Sequence, residues 1–171
     1  MKNIYLIGMM GSGKTSSGRA LAKLLKVTFL DLDEQIAEQA GQSINDIFKT
    51  KGESHFRKIE TELLDRASKL TDHVVATGGG IVLKPENNAR MKETGVIIYL
   101  KTSLNALWER VRRNKNRPLL ATADPKKTLE ELLSKRGLLY ETTADKIFLT
   151  DQKTPEAVAL EIYKTCFEKK S

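Results

Sequence analysis

Ile4-Tyr5-Leu6-Ile7-Gly8-Met9-Met10-Gly11-Ser12-Gly13-Lys14-Thr15 decides how the rest of the chain is read. Its opening is a continuous apolar run with β-branched members, the pattern of a strand buried on both faces of a parallel sheet. From Gly8 to Thr15 the residues match G-x-x-x-x-G-K-[ST] in full, and after Lys14 the apolar Ala20, Leu21, Leu24 and Leu25 recur at helical spacing. A strand, a glycine-rich loop and a helix in that order are the context in which this motif cradles phosphates. Gly11 and Gly13 leave room for consecutive backbone N–H groups to converge on phosphate oxygens, and the following helix adds its positive end. Lys14 is suited to the β- and γ-phosphates and the Thr15 hydroxyl to a magnesium ion, so Mg²⁺ with a nucleoside triphosphate is expected.

Outward from the loop, amphipathic stretches cover residues 33–40, 53–70, 103–113, 128–139 and 154–167, with a good helix start at Thr154-Pro155-Glu156. Short strand candidates lie at residues 28–32, 74–76, 96–100 and 146–149. The alternation predicts an α/β layer with a parallel sheet. A length of 171 residues suits one domain with one core, and no repeat or low-complexity linker divides residues 1–171. Residues 114–125, with Pro118 and Asp124-Pro125, are the least regular and the best candidate for a mobile loop.

Composition narrows the classes further. No apolar stretch approaches the ~20 residues of a membrane-spanning helix. Lys and Arg number 29 against 22 Asp and Glu, and a net charge of +7 admits nucleic acid, an anionic surface or small anionic substrates. Cys166, the single cysteine, excludes an intrachain disulfide and a cysteine-rich zinc module. The apolar run before Gly8 is too short for a signal peptide, and a cytoplasmic location is expected.

Base identity and acceptor need other residues. Asn114-Lys115-Asn116-Arg117 resembles the guanine-reading N-K-x-D but carries Arg in place of the Asp, and the chain has no D-x-x-G, which favours ATP and a kinase over a GTP switch. Asp31 and Asp33 end a strand pattern, where alternation would send both carboxylates to one side, towards magnesium and an acceptor hydroxyl; capping of the next helix is the other reading of Asp33. Gly78-Gly79-Gly80 follows another strand and either presents bare N–H groups to a ligand or forms an ordinary glycine turn. In the basic run, Arg112, Arg113 and Lys115 read as a solvated face, whereas Arg117 is placed to neutralise charge on a transferring phosphoryl group. Arg57 and Glu60 fall on one helical face and can pair. His55, His73 and Trp108 read as structural.

Taken together, these residues resemble the bacterial shikimate kinases, of the phosphate-loop, nucleoside-monophosphate-kinase-like fold. The likeness runs nearly end to end: the loop, Asp31-Leu32-Asp33, the G-E-x-x-F-R-x-x-E pattern of residues 52–60, Gly78-Gly79-Gly80, Arg117-Pro118-Leu119-Leu120, and Arg136 followed by Tyr140. The resemblance implies a three-layer α/β/α fold with five parallel strands ordered 2-3-1-4-5, a substrate-binding helical segment at residues 33–60 and a lid at residues 112–124 that excludes water on closing. It implies transfer of the ATP γ-phosphoryl group to the 3-hydroxyl of shikimate, on the way to chorismate and the aromatic amino acids, by a monomer with no nucleic-acid or membrane partner.

By the same resemblance Gly11, Ser12, Gly13, Lys14, Thr15, Ser16, Arg110, Arg117 and Lys153 would contact ATP, with Arg110 and Lys153 at the adenine. Asp33, Arg57, Gly78, Gly79, Gly80 and Arg136 would contact shikimate, the two arginines on its carboxylate. Lys14, Asp33 and Arg117 would be catalytic, and Thr15 and Asp31 would hold magnesium. A gluconate- or nucleotide-type kinase on the same fold stays open, as does a non-catalytic or nucleic-acid-binding module. The absence of Phe, Tyr and Trp from residues 110–117 argues against single-strand recognition.

Overall fold

Two buried faces follow from the alternation along the first strand. The structure, a computed structural model, describes residues 1–114 and 117–168. Strand β1 (Asn3–Ile7) sends Ile4 and Leu6 to one face and Tyr5 and Ile7 to the other, and all are fully buried. Around it lie β2 (Thr28–Asp31), β3 (His73–Ala76), β4 (Gly95–Lys101) and β5 (Lys146–Leu149), all parallel, in the order β2-β3-β1-β4-β5. Leu6 stands opposite both Ala76 and Ile98, so β1 is central.

The helices are α1 (Lys14–Leu25), α2 (Leu32–Ala40), α3 (Ile44–Ser68), α4 (Pro85–Thr94), α5 (Leu104–Val111), α6 (Pro125–Thr143) and α7 (Pro155–Cys166). Leu21 and Ala22 of α1 with Val158, Ala159 and Ile162 of α7 cover the Ile4–Leu6 face. Leu32, Ile36, Ile47, Phe56, Leu64, Leu129 and Tyr140, from α2, α3 and α6, pack on the other. The result is the three-layer α/β/α arrangement. None of the described helices is long and apolar enough to cross a membrane.

Caps set most helix starts: Ser43, Ser103, Asp124 and Thr154 each accept a hydrogen bond from a backbone N–H in the first turn of α3, α5, α6 and α7. Helix α4 was invisible to periodicity because Pro85–Thr94 is mostly polar and buries only Asn87 and Met91. Helix α3 starts at Ile44, well before the stretch at residues 53–70, and its two halves meet at a kink where Gly52 has φ 83°. The expected strand at residues 28–32 stops at Asp31, and Leu32 already belongs to α2. Trp108 is half-buried and packs against the core from its edge. Of the basic run and the lid at residues 112–124, Lys115 and Asn116 lie outside the described residues.

At the end of the sheet remote from the loop, the fully buried Asn3 side chain closes three backbone bonds. It donates to Ala67 O (3.2 Å) and Leu70 O (2.8 Å) and accepts from His73 N (3.2 Å). Asn3→Ala leaves these groups unpaired and is expected to lower the unfolding free energy by about 2 kcal/mol. Urea titration measures this, and nucleotide affinity should not change.

Candidate active site

The loop between β1 and α1 turns through backbone conformations that side chains resist: Gly8, Gly11 and Gly13 have φ of 147°, 81° and 91°. Gly13 caps α1 with no side-chain bond, which leaves the first-turn N–H groups of α1 directed at the cleft. Lys14 Nζ donates to the carbonyls of Gly8 (2.8 Å) and Met9 (2.9 Å), so the lysine is folded back over its own loop. Burial pushes its pKa down to about 8, against the pull of Asp33. Ser16 is exposed at the rim, and the buried Ser12 Oγ has no partner among the described residues.

Asp31 ends β2 and caps α2. Its Oδ1 accepts from Asp33 N (3.0 Å) and Glu34 N (3.2 Å), and its Oδ2 accepts from the Thr15 hydroxyl at 2.5 Å. This corrects the expectation of strand alternation and of a cap by Asp33. Asp31 is the cap, and Asp33 reaches the cleft because it occupies the first turn of α2. The two carboxylates still stand close, and Asp31 adds to the effect of burial in raising the Asp33 pKa, while Lys14, Arg117 and Arg57 oppose it. Asp33 Oδ1 is buried without a hydrogen-bond partner among the described residues.

Beyond Asp33, the kinked helix α3 supplies Arg57, which donates to Glu60 Oε2 (2.9 Å) and Glu53 Oε1 (3.2 Å). The pairing expected from spacing is present, but it is no surface pair: Arg57 is 9% exposed and Glu60 0%. Burial raises the Glu60 pKa, against the nearby Arg57 charge. The glycine loop after β3 fits these charges. A Cβ on Gly78 would stand 2.3 Å from Glu60 Oε1, and one on Gly80 2.3 Å from the Arg57 guanidinium carbon. At Gly79 a Cβ would meet Met10 N at 3.5 Å and Gly8 O at 3.6 Å, ordinary contact distances, so this glycine is less tightly enclosed than its neighbours. Arg136 enters from α6, 4% exposed, with Nη1 3.6 Å from that position.

Two cavities result. One is lined by Asp33, Arg57, Glu60, the three glycines, Arg117 and Arg136, with an apolar wall of Met10, Ile44, Phe48, Phe56, Pro118 and Leu119. The other is lined by Gly11, Gly13, Lys14, Thr15, Ser16, Asp31, Glu34 and Thr77. Asp33 and Arg117 line both. The aromatic wall has no signal in the sequence, because Phe48 lies outside the periodic stretches and Phe56 stands out there only within the pattern of residues 52–60. They face each other with centroids 4.8 Å apart, which the kink at Gly52 permits. Glu34 was missed as one acid in an amphipathic helix; it also pairs with Arg19 at 2.7 Å.

Two predicted nucleotide contacts lie apart from these cavities. Arg110 donates to Gly11 O (3.1 Å) and Thr150 O (2.9 Å), bridging the phosphate loop to the turn after β5. Lys153, just beyond that turn, is exposed and pairs with Glu161 of α7 at 2.6 Å. The structure brings Arg110 to the loop and leaves Lys153 on the outer surface.

Comparison with known proteins agrees with this geometry. A family model described as shikimate kinase matches residues 10–167. The shikimate kinase of Legionella pneumophila (strain Corby) is 48% identical over 164 residues, 96% of this chain and 94% of that protein. A solved shikimate kinase from Acinetobacter baumannii in complex with shikimate aligns with a TM-score of 0.94 at 39% identity, over 96% of this chain and 92% of that one. That from Aquifex aeolicus aligns with a TM-score of 0.83 at 36% identity, over 95% of each chain. The chain belongs to the shikimate kinase family.

Proposed function

We propose that the chain moves the γ-phosphoryl group of ATP onto the 3-hydroxyl of shikimate, giving ADP and shikimate 3-phosphate. The observation that carries this reading is the meeting of a phosphate-binding cavity and an acidic-and-basic acceptor cavity at two shared residues, Asp33 and Arg117. A group passing from one cavity to the other passes between a carboxylate and a guanidinium. Shikimate is favoured over gluconate or a nucleotide as acceptor by the family membership and by the Acinetobacter relative, described in complex with shikimate.

Each role follows from the chemistry of the group. Arg57 and Arg136 are both buried beside the glycine loop, and their planar forks suit the acceptor's carboxylate. Glu53 and Glu60 hold the Arg57 fork in one orientation. Asp33, with a buried free oxygen and a pKa raised by burial, receives the proton of the attacking hydroxyl. The ring of shikimate lies on the wall of Phe48, Phe56, Pro118 and Leu119, which keeps water from the reacting oxygen. Lys14 leaves the Gly8 and Met9 carbonyls for the β- and γ-phosphates, and Arg117 neutralises charge on the group in transfer. Arg110 lies along the adenine, and Lys153 reaches the same edge on leaving Glu161. Residues 112–124 act as the lid over the monomer's single site.

The Thr15 hydroxyl and the Asp31 carboxylate, hydrogen-bonded at 2.5 Å beside the first turn of α1, fit Mg²⁺: both are hard oxygen donors, and this ion takes few protein ligands and completes its shell with phosphate and water. Bound there, it would neutralise charge on the β- and γ-phosphates.

ADP release coupled to a reporter enzyme, with ATP, Mg²⁺ and shikimate, is expected to show turnover that excess chelator stops and added Mg²⁺ restores. Absence of turnover above the acceptor-free rate would refute the reading. Two variants separate the cavities. Lys14→Ala should lower kcat by about 10²–10³-fold, whereas Arg136→Ala should raise the shikimate KM by about 10–100-fold with far less effect on the ATP KM. Equal KM values for shikimate in Arg136→Ala and the parent chain would remove the carboxylate role.

A further inference from the structure

Tyr140 lines neither cavity, yet it touches Gly79 of the acceptor cavity and Met9 of the phosphate loop. It is fully buried on α6, one turn beyond Arg136. Its hydroxyl donates to the Gly79 carbonyl, and the Met9 sulfur lies 3.5 Å from the same oxygen. Its ring stacks on Tyr99 of β4, with centroids 5.1 Å apart and planes inclined by 28°. Met9 belongs to the phosphate loop, and its carbonyl accepts from Lys14. Gly79 lines the acceptor cavity with Arg136, and a Cβ built on it would stand 3.6 Å from Arg136 Nη1.

Packing alone does not account for a tyrosine here. The stack on Tyr99 and the filling of the core need only the ring, and a phenol oxygen in an apolar interior is costly unless it is bonded. Here its bond goes to the one carbonyl that fixes how the peptide planes around Gly79 face the acceptor. Gly78 and Gly80 sit close against Glu60 and Arg57, whereas the position of the middle glycine has only ordinary contacts with Met10, Gly8 and Arg136. The hydroxyl supplies a restraint there from the same helix that carries Arg136.

We propose that Tyr140 is a positioning residue for the acceptor: its hydroxyl locks the Gly79 peptide in register with the Arg136 guanidinium, so that both meet the bound acid in one geometry. This rests on the acceptor assignment given above. The phosphate loop meets the restraint through the thioether of Met9, a weak acceptor, and through ordinary contact of Gly8 and Met10 with the Gly79 position, so the nucleotide side should respond less than the acceptor side.

Tyr140→Phe keeps the ring, the stack and the volume and removes only the hydroxyl. The expected result is a rise of about tenfold in the shikimate KM with the ATP KM within about twofold of the parent, since the groups that lose the hydroxyl, the Gly79 carbonyl and the Arg136 guanidinium, are both on the acceptor side. In the ligand-free protein, amide hydrogen exchange should quicken at Ile81 and Leu83, whose N–H groups donate to the Gly78 and Gly80 carbonyls. A shikimate KM within about twofold of the parent, with only the unfolding midpoint lowered, would overturn the proposal and leave Tyr140 a packing residue. If the parent chain fails to phosphorylate shikimate, the acceptor assignment falls. The exchange experiment involves no acceptor, and unchanged protection at Ile81 and Leu83 would overturn the restraint on its own.

Discussion

One carboxylate joins the two halves of the site. Asp31 holds the Thr15 hydroxyl with one oxygen and the first turn of α2 with the other. The first bond ties the phosphate-binding helix to the end of the neighbouring strand, and the second sets where Asp33 emerges. In a parallel sheet the carboxyl ends of the strands gather at one edge, but they do not by themselves align side chains from different loops. Here the alignment comes from a strand end that is also a helix cap. The remaining parts are arranged around it: Lys14 on one side, and Arg57, Glu60 and Arg136 on the other.

That arrangement costs stability. Lys14, Asp33 and Glu60 all have pKa values moved by burial in the direction that disfavours their charged forms. Arg57 and Glu60 form a buried pair, and pairs of this kind seldom add net stability over a well-packed apolar substitute. Several polar atoms nearby, Asp33 Oδ1, Glu60 Oε1, Arg57 Nε and Arg117 Nε, are buried without partners among the described residues. A cluster with unfilled bonding capacity, facing two cavities, is organised for ligands that bring the missing donors and acceptors. The two apolar cores on either side of β1 stabilise the fold that holds it.

The strands and most helices were legible because burial leaves a periodic trace. The apolar run of residues 4–7 in β1 and the span of α1 could be read directly, and β5 was bounded correctly. Helix α4 left no such trace, and the kink in α3 hid its first half behind Gly52. Phosphate-loop residues could be read as a site because backbone geometry ties their types to one chemistry. Asp33 was correctly placed in the cleft, but for the wrong local reason, since capping by Asp31 rather than strand alternation presents it. The apolar wall could not be read, because Phe48 facing Phe56 depends on a tertiary bend. Nor could the depth of the Arg57–Glu60 pair be read: spacing gives the pairing, whereas burial is decided by what the rest of the chain covers.

The glycine triplet after β3 limits how this protein can change over evolutionary time. At Gly78 and Gly80 the space a side chain would take is filled by Glu60 and Arg57, so even alanine there collides with charged groups that hold the site together. A side chain at either position requires the Glu60 carboxylate or the Arg57 guanidinium to shift, and with it the pair the two groups make. Ile44, Phe48 and Leu119 bear on the same cavity through apolar contact alone and can exchange size and shape one at a time. A change of size along the apolar wall therefore meets fewer steric obstacles in this chain than one across the charged floor.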